Sequence, residues 1–290
     1  MSRALAETLL EEHLLSRDIR EVSLADIRQA AAERPQVLQR RGGCRSCHGL
    51  SGPILDVGDL FQGKTLLTAH ACNEDFLEIH QITSTIHSED LDSIPPMDAI
   101  YVIERLAKLE EYLLTQAAKA GQTGFITIAK RRRQRQHGYQ RIRFHHRVPS
   151  LIQRDRQYRE QHGGSLAELL ELNSTPELTL GEFRGGLAAV IPAPPRRPLE
   201  IVLFFRPSAA GHLYQLSGDQ RWGIAQAIRE ISGAMKLELC LRGQQESYRW
   251  ALHAGDGPDT FVRFWADKTD PLNDGPEQWA DAMREHLGLG

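Results

Sequence analysis

The sequence predicts an α+β protein built from two copies of one unit, with a single metal site in the first copy. Three observations carry this. A gapless repeat runs at an offset of 122 residues, the same apolar helical stripe recurs in each copy, and a C-x-x-C knuckle occurs only once.

The repeat sets the order of elements. Phe61-Gln62-Gly63 aligns with Phe183-Arg184-Gly185, residues 65–70 with 187–192, and Leu77-Glu78-Ile79 with Leu199-Glu200-Ile201. The same shift carries Val102, Leu106, Leu109 and Leu113 onto Ile224, Ile228, Ile231 and Met235. An i, i+4, i+7, i+11 spacing places four residues on one side of a helix. Each copy therefore reads as two short β-rich runs, a loop, a helix and a further strand, at 125–129 in the first copy and 248–252 in the second. Helix starts are expected at Ser93 or Asp92, ahead of Pro95-Pro96, and at Ser217, ahead of Gly218-Asp219. Their short polar side chains satisfy the free N–H groups of a first turn. Residues 192–198, rich in proline, connect two strands of the second copy, because proline cannot donate to a sheet ladder. Pro276 is placed to open a last helix through Met283 and Leu287. Residues 3–34 read as helical. The predicted domains are a helical extension over 1–43, a first unit over 44–147 and a second over 148–290.

Composition bounds the function weakly. The chain has 290 residues, 41% hydrophobic and 25% charged, with a formal net charge of -3. That is ordinary for a globular protein, and so small a net charge names no partner. Glu7, Glu11 and Glu12 interrupt the first apolar run, unlike a signal peptide, and no stretch is long and apolar enough for a membrane span. The expected location is the cytoplasm. There, four cysteines point to metal binding or burial rather than to disulfides.

Gly42-Gly43-Cys44-Arg45-Ser46-Cys47-His48 holds the knuckle. Two thiolates at this spacing can bind one ion from a tight turn that the glycines permit. A tetrahedral zinc needs two more ligands. His87 and His137 are the expected ones, since each follows a strand of the first copy; His48, His70 and His80 compete for the role. At the equivalent positions the second copy has Leu166, Leu169, Ala209 and Asp259, so one zinc per chain is expected. Two other readings stay open. Cys44 to His48 also spells a C-x-x-C-H haem-attachment motif, and two buried, unliganded cysteines would satisfy the pattern too. Cys72 and Cys240 read as core residues.

With the knuckle, the two histidines, and the stretches LEIHQITSTIHSEDLDSIP and AVIPAPPRRPLEIVLFFRP in place, the chain resembles the galactose-1-phosphate uridylyltransferase family of the histidine-triad superfamily, over residues 44–290. The resemblance implies duplicated histidine-triad-like units, with antiparallel sheets joined in a half-barrel or saddle and helices packed behind. It implies zinc on Cys44, Cys47, His87 and His137, a nucleotide or sugar-phosphate ligand, and a homodimer. It also implies a His-Pro-His-x-Gln motif whose second histidine attacks the nucleotide's α-phosphorus. Here that segment reads His137-Gly138-Tyr139-Gln140-Arg141. Tyr139 stands in the nucleophile's place and Arg141 in the glutamine's. A phenol has a pKa near 10, so only about one in a thousand is ionised at neutral pH. Gln140 falls on the other face of a strand from Tyr139 and does not restore the lost glutamine.

Residues 130–147 read as a basic loop with no acid, containing Lys130, Arg131, Arg132, Arg133, Arg135, Arg141, Arg143 and Arg147. Arginine forks suit phosphate oxygens, so Arg131, Arg132, Arg133, Arg135, Gln140 and Arg141 are the expected ligand contacts. A solvated loop is the plainer reading. The leading expectation is a nucleotidyltransferase-family protein that binds a nucleotide or phosphorylated ligand near Tyr139, with transferase activity altered or lost, as in a pseudoenzyme. One alternative is an active nucleotidylyltransferase or dinucleotide phosphorylase working through Tyr139 or another nucleophile. Another is a nucleic-acid-binding or regulatory protein that uses the basic segment.

Overall fold

The structure, a computed structural model, describes residues 54–60, 63–72, 76–82, 91–119, 121, 124–131, 139–145, 148, 150–192, 195, 197–206, 211–244, 248–254, 260–266 and 275–289. Residues 3–34, predicted helical, lie outside that set. The chain forms two compact units. The first comprises Met1–Ile94 and Arg105–Pro149, the second Pro95–Glu104 and Ser150–Gly290.

The first unit contains strands β1 (Ile54–Leu60), β2 (Gly63–Cys72) and β3 (Phe76–Ile82), followed by β4 (Phe125–Arg131) and β5 (Tyr139–His145). They run antiparallel in the order β1-β2-β3-β5-β4. Helix α1 (Pro96–Lys119) intervenes between β3 and β4, and its first residues, through Glu104, belong to the second unit. Proline suits this first helical position, where its missing N–H has no intrahelical role. The four residues of the predicted stripe, Val102, Leu106, Leu109 and Leu113, are all buried.

The second unit contains helices α2 (Ser150–His162) and α3 (Leu166–Leu172), then strands β6 (Thr179–Phe183), β7 (Leu187–Val190) and β8 (Ile201–Phe205). Helix α4 (Gly218–Leu241), strands β9 (Tyr248–Ala254) and β10 (Thr260–Ala266), and helix α5 (Pro276–Leu287) complete it. Its strand order is β6-β7-β8-β10-β9. In both units, therefore, the fifth strand inserts between the third and the fourth.

Local chemistry explains the helices. Ser217 caps α4 by accepting from Gln220 N at 3.2 Å, while Ser217 N donates to Gln220 Oε1 at 2.9 Å. Ser165 and Glu168 form the same reciprocal pair at the start of α3. These pairs satisfy two orphan N–H groups each. Along α4, Ile224, Ile228, Ile231 and Met235 have no exposed surface. Full burial of each such side chain contributes about 1.5–3 kcal/mol. Gly223 allows α4 to approach the β6–β7 turn, because a Cβ there would lie 1.9 Å from the Arg184 carbonyl oxygen. The last helix opens at Pro276 as expected, closes at Gly288 with φ 67°, and buries Trp279, Ala280 and Met283.

Both faces of the second sheet are covered. Ala188, Val190, Val202, Phe204 and Phe261 form one cluster with Ala167 of α3, and Leu170 packs against it. The opposite parity of β7 and β8, including Leu187, Ala189, Ile201 and Leu203, is equally buried, and α4 lies over β6, β7 and β9. A strand buried on both faces loses the usual apolar–polar alternation, which is why 201–205 reads as an unbroken apolar run.

Several expectations need correction. The basic loop over 130–147 is partly sheet: Arg131 ends β4, and residues 139–145 form β5. Alternation hides there, since Ile142 and Phe144 are buried between Arg141, Arg143 and His145. Residues 260–266, the second copy's counterpart, are likewise a strand. Among the described residues each unit has five strands, against three expected. Helices α2 and α3 were not expected at all; α2 is strongly polar, and α3 has only seven residues. Cys240 is exposed rather than in the core, because it lies one residue past buried Leu239 on the helix surface.

Candidate functional site

Tyr139, Gln140 and Arg141 open β5, and register fixes their neighbours. Arg131 of β4 is opposite Tyr139, Lys130 opposite Gln140, and Ala129 opposite Arg141. On the β3 side, Gln81 is opposite Gln140 and His80 opposite Arg141. Thr68 of β2 is opposite His80 in turn. Successive strand residues alternate between faces. Tyr139, Arg141, Arg143 and His145 therefore belong to one face, and Gln140 to the other, with buried Ile142 and Phe144.

The face that carries Tyr139 mixes polar and charged residues with apolar ones, Leu66, Ile82 and Phe76 among them. One row across it is Thr68, His80, Arg141 and Ala129. The next is Glu78, Arg143 and Thr127. Beyond it Thr127 Oγ1 and His145 Nε2 are hydrogen-bonded at 2.9 Å. Glu78 and Asp56 share this face with Arg131, Arg141 and Arg143. The excess positive charge favours an anion.

The face of the second sheet that carries Phe261 and Arg263 offers no such surface. Helix α3 covers its apolar residues. Arg263, in register with Val202, is matched internally: its Nε donates to Glu200 Oε1 at 3.0 Å, and Glu200 is buried. Arg197 lies over the Trp265 ring at 4.5 Å. A buried, fully paired carboxylate and guanidinium are closed to an outside ligand, since breaking the pair leaves an uncompensated charge.

Cys44, Cys47, His87 and His137 lie outside the described residues, as do Arg132, Arg133 and Arg135. Of the expected ligand contacts, Arg131, Gln140 and Arg141 are placed in strands, with Gln140 on the opposite face from the other two. Among the described residues no group of three or more His, Cys, Asp or Glu could hold a metal ion. His80 and Thr68, which the register sets beside Arg141, were not expected as ligand contacts. The signal was available in β-alternation: EIH on β3 and YQRIRFH on β5 each carry polar residues at every second position. Among the described residues no helix is long and apolar enough to cross a membrane.

No protein-family model matches the chain, and no curated protein does. Solved structures do. A uridylyltransferase structure superposes with a TM-score of 0.68 at 15% identity, covering 88% of this chain and 94% of that one. An ADP-glucose phosphorylase from Arabidopsis thaliana with bound ADP-glucose superposes with a TM-score of 0.66 at 14% identity, covering 88% and 92%. A GALT-like protein from Arabidopsis thaliana gives 0.60 at 13% identity, covering 79% and 86%. At such low identity the likeness speaks for architecture alone: this chain has the α+β fold of the uridylyltransferase and ADP-glucose phosphorylase structures.

Proposed function

We propose that the chain is a duplicated, uridylyltransferase-like protein that binds a nucleotide or nucleotide sugar on the Tyr139 face of its first unit, with transferase chemistry altered from that of a histidine at position 139. The observation that carries this reading is the contrast between the two sheets. One presents Tyr139, Arg141, Arg143, His80 and Thr68 on a single face. The face with Phe261 and Arg263 in the other is covered by α3 and closed by the pairing of Arg263 with Glu200. The shared strand order and the offset of 122 residues between helices of equal length support duplication. The relation between α3 and the metal knuckle fits as well. Leu166 and Leu169 stand where the first copy has Cys44 and Cys47, so one copy carries a knuckle and the other an apolar lid.

In this reading a zinc ion is held by Cys44, Cys47, His87 and His137. Two thiolates and two imidazoles are a common tetrahedral set, and a structural ion of this kind contributes folding energy. The strand ends support the grouping. β3 ends at Ile82 and β5 begins at Tyr139, and Gln81 is opposite Gln140, so His87 and His137 belong to segments joining the sheet at one end. From β1 across β2 and β3 to β5 is about 14 Å. Cys47 precedes β1 by seven residues, which extended reach about 24 Å. Zinc content measured on wild type and on Cys44→Ser tests this arm: one equivalent is expected in the first and none in the second.

Titration with ADP-glucose and UDP-glucose tests the ligand. One site per chain is expected, weakened at least tenfold in Arg141→Ala, because a charge-assisted hydrogen bond contributes about 1.5–3 kcal/mol. No binding of either compound would overturn the reading.

A further inference from the structure

We propose that the loop joining β7 to β8 is a docking segment, read as a polyproline II ligand by an aromatic-lined groove with an acidic rim on a partner protein. The loop belongs to the second unit, and its role does not depend on the ligand of the Tyr139 face.

The sequence of the loop favours that conformation. Residues 191–198 read Ile-Pro-Ala-Pro-Pro-Arg-Arg-Pro. Proline fixes its own φ at about -65°, and the residue ahead of a proline is turned away from the helical region toward extended backbone. Pro192, Pro194 and Pro195 are under the first constraint, and Ile191 and Ala193 are under the second. A polyproline II helix repeats every three residues, so Pro192 and Pro195 belong to one edge of it. Arg197 follows at the second position after Pro195. Residues 191–199 carry two positive charges, from Arg196 and Arg197, and no acid. A groove of aromatic side chains reads a proline edge at low entropic cost, because the segment is already ordered, and a carboxylate on its rim matches a guanidinium.

The fold displays the loop. β7 ends at Val190 and β8 begins at Ile201, and Val190 is in register with Val202. Ten residues, 191–200, therefore join neighbouring antiparallel strands, where a hairpin needs about two to five. Both roots are pinned. Ile191 is buried, and its N–H donates to the Leu178 carbonyl at 2.9 Å. At the other root the Ala266 N–H donates to the Pro198 carbonyl at 3.0 Å, and the Arg197 N–H donates to Glu200 Oε2 at 3.2 Å. Leu199 is buried with φ 52°, a left-handed conformation that strains a residue bearing a Cβ. Such strain persists where the surrounding structure over-determines it, and it gathers at functional segments. Between the roots Pro192 is half-buried, and Pro195, Arg197 and Pro198 are exposed. The Arg197 guanidinium rests over the Trp265 ring at 4.5 Å, which holds its charge at the end of the proline edge.

The test measures binding of the full chain to two purified polyproline readers, an SH3 domain and a WW domain, by fluorescence anisotropy. The expected result is saturable binding to at least one of them, competed away by a synthetic peptide of residues 190–199. Pro195→Ala and Arg197→Glu each weaken it by about tenfold or more, as expected for the loss of one contact with a charged or preformed group. Circular dichroism establishes that each variant is folded, and the peptide competition on wild type decides the matter if one is not. Binding to neither domain, or binding unchanged in both variants, would overturn the proposal. Binding that Arg197→Glu abolishes and Pro195→Ala leaves intact would reduce the loop to a charged surface and overturn it as well.

Discussion

At the scale of single residues, Glu238 ties the last helix to α4. Its Oε2 is 2.7 Å from His286 Nε2 and its Oε1 accepts from Arg242 Nε. Burial pushes this carboxyl up, but the hydrogen bonds from His286 and Arg242 outweigh it and hold the group below the ordinary carboxylate range. A depressed carboxyl contributes stability that is present above its unfolded pKa and lost as pH falls through the folded one. Thermal melts should therefore show wild type losing stability steeply below about pH 4. Glu238→Gln should start lower at pH 7 and lose less on acidification; parallel curves would remove this role. Gly223 makes a second prediction at the same scale. Any side chain there meets the Arg184 carbonyl, so Gly223→Ala should destabilise by about 1–3 kcal/mol through overpacking, read as a shift in urea midpoint. These contacts could not be read from the sequence, because Glu238, His286 and Gly223 sit at ordinary helical positions. Only the approach of α5 and of the β6–β7 turn gives them partners.

At the scale of elements, legibility followed the hydrophobic pattern. The stripes of α1 and α4 repeat every three to four residues, and Ser217 is a strong cap, so both helices stood out. Replacing Ser217 by Ala should cost about 1 kcal/mol by denaturant melt, since the Gln220 N–H loses its acceptor. A change under a few tenths would mean that packing alone sets the helix start. Strand β5 was harder. Its alternation is real, with Ile142 and Phe144 buried, but four of its seven residues are Gln, Arg or His and mimic a solvated loop. Helix α3 was missed for the opposite reason. Seven residues give too few turns for a periodic signal, and its value lies in what it covers. Leu170→Ser should loosen the apolar cluster of Val202, Phe204 and Phe261 and lower the melting temperature.

At the scale of the whole molecule, two units of the same strand order differ in the residues their sheets carry. The five-strand order is the same in both, so the backbone alone does not decide which can bind a ligand. Side-chain choice does. Where one sheet has Val202, Phe204 and a helix above them, the other has His80, Arg141 and Thr68 in register. The recurring apolar stripe and the His137-to-Arg141 segment were legible directly. The partnership of His80 with Arg141 was not, because it joins residues 61 positions apart and depends on β5 inserting between β3 and β4. Calorimetric titration of ADP-glucose into wild type and into Arg141→Ala tests this account most directly. It predicts one site per chain in the wild type and at least a tenfold loss in the variant. Equal affinity in the two proteins, or no heat from either, would contradict it.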